Sequence, residues 1–265
     1  MRHFGPSHLR AMTVTFPPVD QQRAIAGVLG ALDDKIVANA ELARTADELA
    51  SSLFARAVAG VESGPDTFGS LCSVGGGGTP KTSEPSYWQG AVAWATPTDV
   101  TRLRGPYLRF TARLITEAGL KACASPLYPV DSILMTSRAT IGAFALAKTQ
   151  VAVNQGFIVV NPIDPGARYW IFHEMRSRVE EFTSFANGAT FLELSRGNFK
   201  KLPVRLADKA TISGFSARAR ELHDLGSQIL TESDTLAELR DTLLPHLMSG
   251  RLKVRDAEKV VGDAL

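Results

Sequence analysis

Cysteine is scarce in this chain, with two, Cys72 and Cys123, among 265 residues. Neither has a Cys or His neighbour at metal-ligand spacing, which excludes a zinc finger and a disulfide scaffold; both read as buried thiols. The five histidines are scattered, and His173 falls on a helical pattern without a partner, so no metal ligand is expected. No run of about 18 apolar residues is present, and no charged start followed by an apolar core. The expectation is a soluble, cytoplasmic protein with no membrane partner. No glycine-rich cofactor fingerprint occurs. The segment Asn161-Pro162-Ile163-Asp164 is not the Asn/Asp-Pro-Pro-aromatic loop of a DNA adenine methyltransferase, and it reads as a turn after a strand. Asp33-Asp34-Lys35 lies on a heptad helix, as a solvated face and not a nuclease centre. The chain is expected to hold no catalytic residue, no metal and no cofactor.

What it does hold is a repeated helical arm. Residues 16–60, FPPVDQQRAIAGVLGALDDKIVANAELARTADELASSLFARAVAG, have a weaker copy beginning at Leu202, LPVRLADKATISGFSARARELHDLGSQILTESDTLAELRDTLLPHLMSG. Each opens on proline, has an isoleucine soon after (Ile25, Ile212) and closes on glycine (Gly60, Gly250). In the first, Ile25, Leu29, Leu32, Ile36, Asn39, Ala43, Ala46, Ala50 and Leu53 follow at spacings of four and three, a heptad seam. In the second the seam is Leu222, Leu225, Ile229, Glu232, Leu236, Leu239 and Leu243, with Phe215 extending it backwards. Pro245 should kink or end the second helix early. A run of about 35 residues makes a rod of roughly 50 Å, and one apolar stripe alone in water is unstable. The first helix leads into the middle of the chain and the second leads out, so the two are expected to pack antiparallel with a domain at one end. Asn39 and Glu232 interrupt their seams near the middle. Either the amide donates to the carboxylate and fixes register at a cost in stability, or both sit where the seam splays into solvent.

The middle of the chain is a different kind of sequence, rich in Gly, Pro, Thr and aromatics. The net charge of +2 is unevenly spread, with 14 Lys and Arg against 10 Asp and Glu between Asp66 and Lys201, while the arms are mildly acidic. A basic part on acidic helices suits a polyanion reader. MTVTF (12–16), AVAWAT, PVDSILMTSRATIGAFAL and QVAVNQGFIVVNP read as strands bounded by turn residues. RYWIFHEMRSRVEEFTSF has helical spacing, with Tyr169, Phe172, Met175, Val179 and Phe182 on one face. After Gly75 to Gly78 no helix pattern begins, and Pro80 precedes Lys81-Thr82 where a phosphate loop has its second glycine. The glycines read either as a flexible loop that brings Thr79, Lys81 and Thr82 to a partner or as a purely structural turn. Tyr87, Trp88 and Trp94 read as core aromatics rather than stacking platforms.

These segments carry a family resemblance along nearly the whole chain. FPPVDQQRAIAGVLGALDDKI resembles the head of the helical region in specificity subunits of type I restriction–modification systems. GGGTPKTSEPSYWQGAVAWATPTDV, ILMTSRATIG with VNQGF, and GATFLELSRGNFKKLPV are similar to the opening, centre and exit of their target recognition domains. LRDTLLPHLMSGRLKV is similar to their C-terminal end.

The resemblance implies an α+β fold, a mixed α/β target recognition domain flanked by two long α-helices that form an antiparallel coiled coil. Residues 1–15 would be a remnant of a preceding domain or a tail, 16–60 the first arm, 61–201 the recognition domain, 202–250 the second arm and 251–265 a C-terminal tail. It also implies double-stranded DNA as partner, read without catalysis. The helices would dock adenine-N6 methyltransferase subunits, S-adenosylmethionine being bound on that partner, with or without a separate ATP-dependent restriction subunit. The family's usual member alternates two recognition domains with two helices, and this chain has one. It resembles the C-terminal half, acting alone, as a homodimer or by exchange with a full-length specificity subunit. The candidate DNA contacts are loop residues of the middle domain: Thr79, Lys81, Thr82, Ser83, Ser137, Arg138, Asn154, Gln155, Arg196, Asn198, Lys200 and Lys201. Arg reads guanine and Asn or Gln reads adenine in the major groove, while Lys, Ser and Thr mostly hold phosphate.

Overall fold

A computed structural model describes residues 5–12, 16–186 and 192–265. In chain order the elements are α1 (Pro6–Arg10), α2 (Val19–Ala57), β1 (Ser63–Thr67), α3 (Phe68–Leu71), β2 (Cys72–Gly75), β3 (Trp88–Ala95), α4 (Pro97–Thr101), β4 (Tyr107–Leu108), β5 (Arg113–Ile115), α5 (Glu117–Ala122), β6 (Ile133–Thr136), β7 (Phe144–Ala147), β8 (Val151–Val153), β9 (Phe157–Pro162), α6 (Arg168–Arg176), α7 (Val179–Ser184), α8 (Arg196–Lys201), β10 (Pro203–Arg205), α9 (Lys209–Met248) and α10 (Val254–Ala264). The strand expected at 12–16 falls largely outside the described residues. Two compact units divide the chain, 1–42 with 229–265, and 43–228.

In the first unit, α2 and α9 run antiparallel. Asp33 meets Arg240 (2.6 Å) and Asn39 meets Glu232 (3.1 Å), so partners descend along one helix as they ascend the other. Ile25, Val28, Leu29, Leu32 and Ile36 pack on Leu236, Leu243 and Leu247, with Leu239 partly buried beside them. The amphipathic helix α10 adds Ala257 and Val261 to the same core. The polar interruption is a direct contact: Asn39 Nδ2 donates to Glu232 Oε2, and Lys35 Nζ lies 3.6 Å from the other carboxylate oxygen. Pro245 does not end the helix, which continues to Met248. Asp241, whose carbonyl loses its partner to the proline, is solvent-exposed, as is Pro245 itself. Water can satisfy a carbonyl there.

In the second unit the seam departs from the heptad reading at two places. After Ala50 the buried position is Phe54, and Leu53 is half-buried. Phe54 packs edge-on against Trp170 and Phe215, with centroids 5.1 and 5.4 Å apart, so the larger ring takes the interior. In α9, Leu225 is 44% exposed and Leu222 half-buried, whereas His223 and Gly226 are buried. The reason is close approach: a Cβ on Gly226 would lie 2.7 Å from the Tyr107 hydroxyl, so the face turned inward here is the one that the globular part can accommodate.

Among the described residues that globular part has three sheets. The five-stranded one has the order β2-β9-β6-β7-β4, the three-stranded one β5-β3-β8, and β1 pairs with β10. Strand β6, Ile-Leu-Met-Thr, is buried at every position, as a run of large apolar side chains covered on both faces must be. Helix α6 is buried from Tyr169 to Met175, all round and not along one stripe. The helical segment breaks at Ser177-Arg178, where Arg178 donates to Glu174, Glu181 and the carbonyl of Pro203. Glu174, fully buried, also accepts from the backbone and guanidinium of Arg205, so its charge is matched on two sides.

Candidate functional site

Four separate segments of the second unit meet around one polar cleft. The first is the turn between β6 and β7. Ser137 donates its backbone N–H to Gly156 (2.8 Å) and accepts from the N–H of Leu194 (3.0 Å). Beyond it, Ala139 takes a left-handed φ of 59° and Gly142 one of 87°, where a side chain on Gly142 would collide with Val179. This geometry pushes Arg138 out to the surface. The second is the turn between β8 and β9, closed by Asn154 Oδ1 accepting from the N–H of Gly156 at 2.8 Å, which leaves Gln155 exposed at the tip.

The glycine run is the third segment, and it is structural. A Cβ on Gly75 would overlap the Tyr128 hydroxyl and one on Gly77 the Val153 carbonyl, while at Gly76 it would press on the side chain of Arg196. Only a bare backbone fits between these groups. Directly after it, Thr79 Oγ1 donates to Gln155 Oε1 (2.8 Å), tying two candidate contacts together. The fourth segment is α8, whose N-cap Ser195 accepts from the N–H of Asn198 and which presents Arg196 and Lys200.

Ser137, Arg138, Gln155, Glu193, Arg196 and Lys200 line a cleft of about 480 Å³. A neighbouring depression of about 300 Å³ is lined by Asn154, Thr98 and Thr101, and it shares Arg138 and Gln155 with the first. Ser137 is only 2% exposed and lies beneath the surface. Lys81, Thr82 and Ser83 are exposed but line neither depression; the Lys81 carbonyl instead accepts from Trp88 Nε1. Lys201 is exposed and Asn198 half-buried, also outside the lining. Trp94 is a core residue whose indole N–H reaches the Gly78 carbonyl at 3.1 Å. Trp88 is half-buried with the Arg113 guanidinium 3.5 Å above its ring. Sequence reasoning missed Glu193, which pairs with Arg138 at 2.8 Å in the lining of the cleft. A lone acidic residue in GATFLELSRGNFKKLPV carries no local signal of that pairing.

His173 has a partner after all. Its Nε2 lies 2.9 Å from His223 Nε2, and His223 Nδ1 lies 2.9 Å from the Tyr107 hydroxyl. Burial lowers both imidazoles, His173 to about 2, with further pressure from His223 and Arg176, and His223 to about 4 despite the opposing field of Asp47. They are neutral links between α6 and α9. Burial likewise pushes the Cys72 thiol up to about 12, which makes it unreactive. Among the described residues no group of three or more His, Cys, Asp or Glu is placed to hold a metal ion. Of the described helices, none is long and apolar enough to cross a membrane.

Residues 65–232 match the family described as type I restriction modification DNA specificity domain. The type I restriction enzyme MjaIX specificity subunit of Methanocaldococcus jannaschii is 34% identical over 133 residues, 49% of this chain and 31% of that protein. Among solved structures, the S subunit of a type I restriction–modification system from M. genitalium aligns with a TM-score of 0.61 at 15% identity, over 87% of this chain and 61% of that one. That likeness is one of fold. The HsdS subunit from Thermoanaerobacter tengcongensis gives a TM-score of 0.46 at 18% identity, over 89% of this chain and 60% of that one. The chain therefore spans about a third of the curated relative's length and about three fifths of the solved ones.

Proposed function

The chain belongs to the family of type I restriction modification DNA specificity domains, which recognise DNA without catalysing a reaction, and from that membership we propose that residues 61–201 read one half of a split target in duplex DNA. The observation that carries the reading is the convergence, around one cleft, of Arg138, Gln155, Arg196 and Lys200 from three different segments, with Thr79 tied to Gln155 from a fourth. Guanidinium and amide groups have the fork geometry that reads base edges, and lysine supplies charge to phosphate. The basic excess of the middle of the chain supports the same polyanion. Lys81, Thr82, Ser83 and Lys201, exposed but away from the cleft, would meet the duplex backbone at its flanks.

The two long helices hold the partner. An adenine-N6 methyltransferase carrying S-adenosylmethionine docks on them, with or without a restriction subunit, and the second half of the target is read by another copy of this chain or by another specificity chain. The test is to co-express the chain with its methyltransferase and map N6-methyladenine across the host DNA. A split motif with two inverted identical halves is the expected result for a chain that pairs with itself, and unlike halves for one that pairs with another. A stable complex that leaves no methylated motif would overturn DNA reading and leave a docking protein without selectivity.

A further inference from the structure

Among the described residues Glu193 is the one carboxylate that lines the polar cleft, beside Arg138, Arg196 and Lys200. Against phosphate an acidic group is repelled, so its place in a DNA-facing cleft needs a different acceptor-seeking neighbour. Its Oε1 lies 2.8 Å from Arg138 Nε, with the two side chains 39% and 44% exposed. An ion pair this exposed contributes little to folding. The backbone already joins the two segments without it, through the isolated antiparallel bridge between Arg138 and Glu193 and the bond from the Leu194 N–H to the Ser137 carbonyl. The pair is thus held in place by the main chain. The shortest approach of the pair is Nε to Oε1, and both side chains line the cleft, Arg138 with a planar fork of donors and Glu193 with two acceptor oxygens.

That arrangement is a donor fork beside an acceptor. In the major groove a G·C pair presents the complement, the O6 and N7 acceptors of guanine beside the N4 donor of cytosine, and no other base pair offers the same order. We propose that Arg138 and Glu193 form a preassembled reader of one G·C base pair, the arginine donating to guanine and the glutamate accepting from cytosine. The inference rests on the DNA-recognition reading and adds to it a base identity at one position of the half-site.

The full chain in complex with its methyltransferase would be used to select duplexes from a randomised DNA pool, alongside Arg138→Lys and Glu193→Ala complexes. Wild type should select a motif containing a G·C pair at which both variants lose roughly tenfold or more of their discrimination, with every other position unchanged. Arg138→Lys keeps the charge and loses the fork, so a phosphate contact would survive it and a guanine contact would not. A motif unaltered in both variants overturns the inference, whether binding is unchanged, as for an idle surface pair, or weakened equally on all sequences, as for a phosphate contact. Failure of the wild-type complex to select any motif overturns the DNA-recognition reading itself.

Discussion

At the scale of single residues, close packing decides more than chemistry. Gly77 fits only because it lacks a side chain, its missing Cβ overlapping the Val153 carbonyl. Gly77→Ala should therefore lower stability by about 1–3 kcal/mol, read as a fall in melting temperature; an unchanged melt would show that the glycine run is slack. The sequence carried the alternatives for this run, loop or turn, but the deciding neighbours, Tyr128, Val153 and Arg196, are remote in the chain. The same holds for Glu193, whose partner lies 55 positions away, and for His173, whose hydrogen bond to His223 spans 50. Residue types were legible there, and pairings were not.

Elements were far more legible, because periodicity is a local signal. The spacing of Ile25, Leu29, Leu32 and Ile36 places them in the core as it stands, and the two polar seam positions point at each other. At Leu53 and Leu225 the helices face Trp170 and Tyr107 of the globular part as well as each other, and the buried phase moves to Phe54, His223 and Gly226. The contact of Asn39 with Glu232 is one that a purely apolar seam would not make. A polar pair in a seam fixes register at a cost in stability, so Asn39→Leu should raise the melting temperature while broadening the assembly state seen by size exclusion with light scattering. If neither moves, the pair has no part in register.

For the molecule as a whole, the buried imidazoles set a dependence on acidity. Unfolded, they titrate near 6.5; folded, His223 does so near 4 and His173 near 2, because burial disfavours their charged forms. Their contribution is complete above pH 6.5 and falls away as pH drops, until about 4 for His223 and about 2 for His173, as the unfolded chain takes up protons that the folded one refuses. Melting temperature should drop steeply below pH 6, and His173→Leu should remove about one proton from that slope; a wild-type melt that is flat from pH 7 to 4.5 would show that the pair is not held neutral. The pairing of β1 with β10 has a different kind of consequence. Ser63 pairs with Arg205 and Thr67 with Pro203, and the Phe68 N–H bonds the Leu202 carbonyl at 3.1 Å, so the polypeptide enters and leaves the intervening fold through a single doorway. A segment whose two ends are already neighbours can be exchanged for a foreign one without stretching the chain on either side. Two crossovers, near codons 68 and 202, would replace the intervening segment and leave both long helices of the chain as they were.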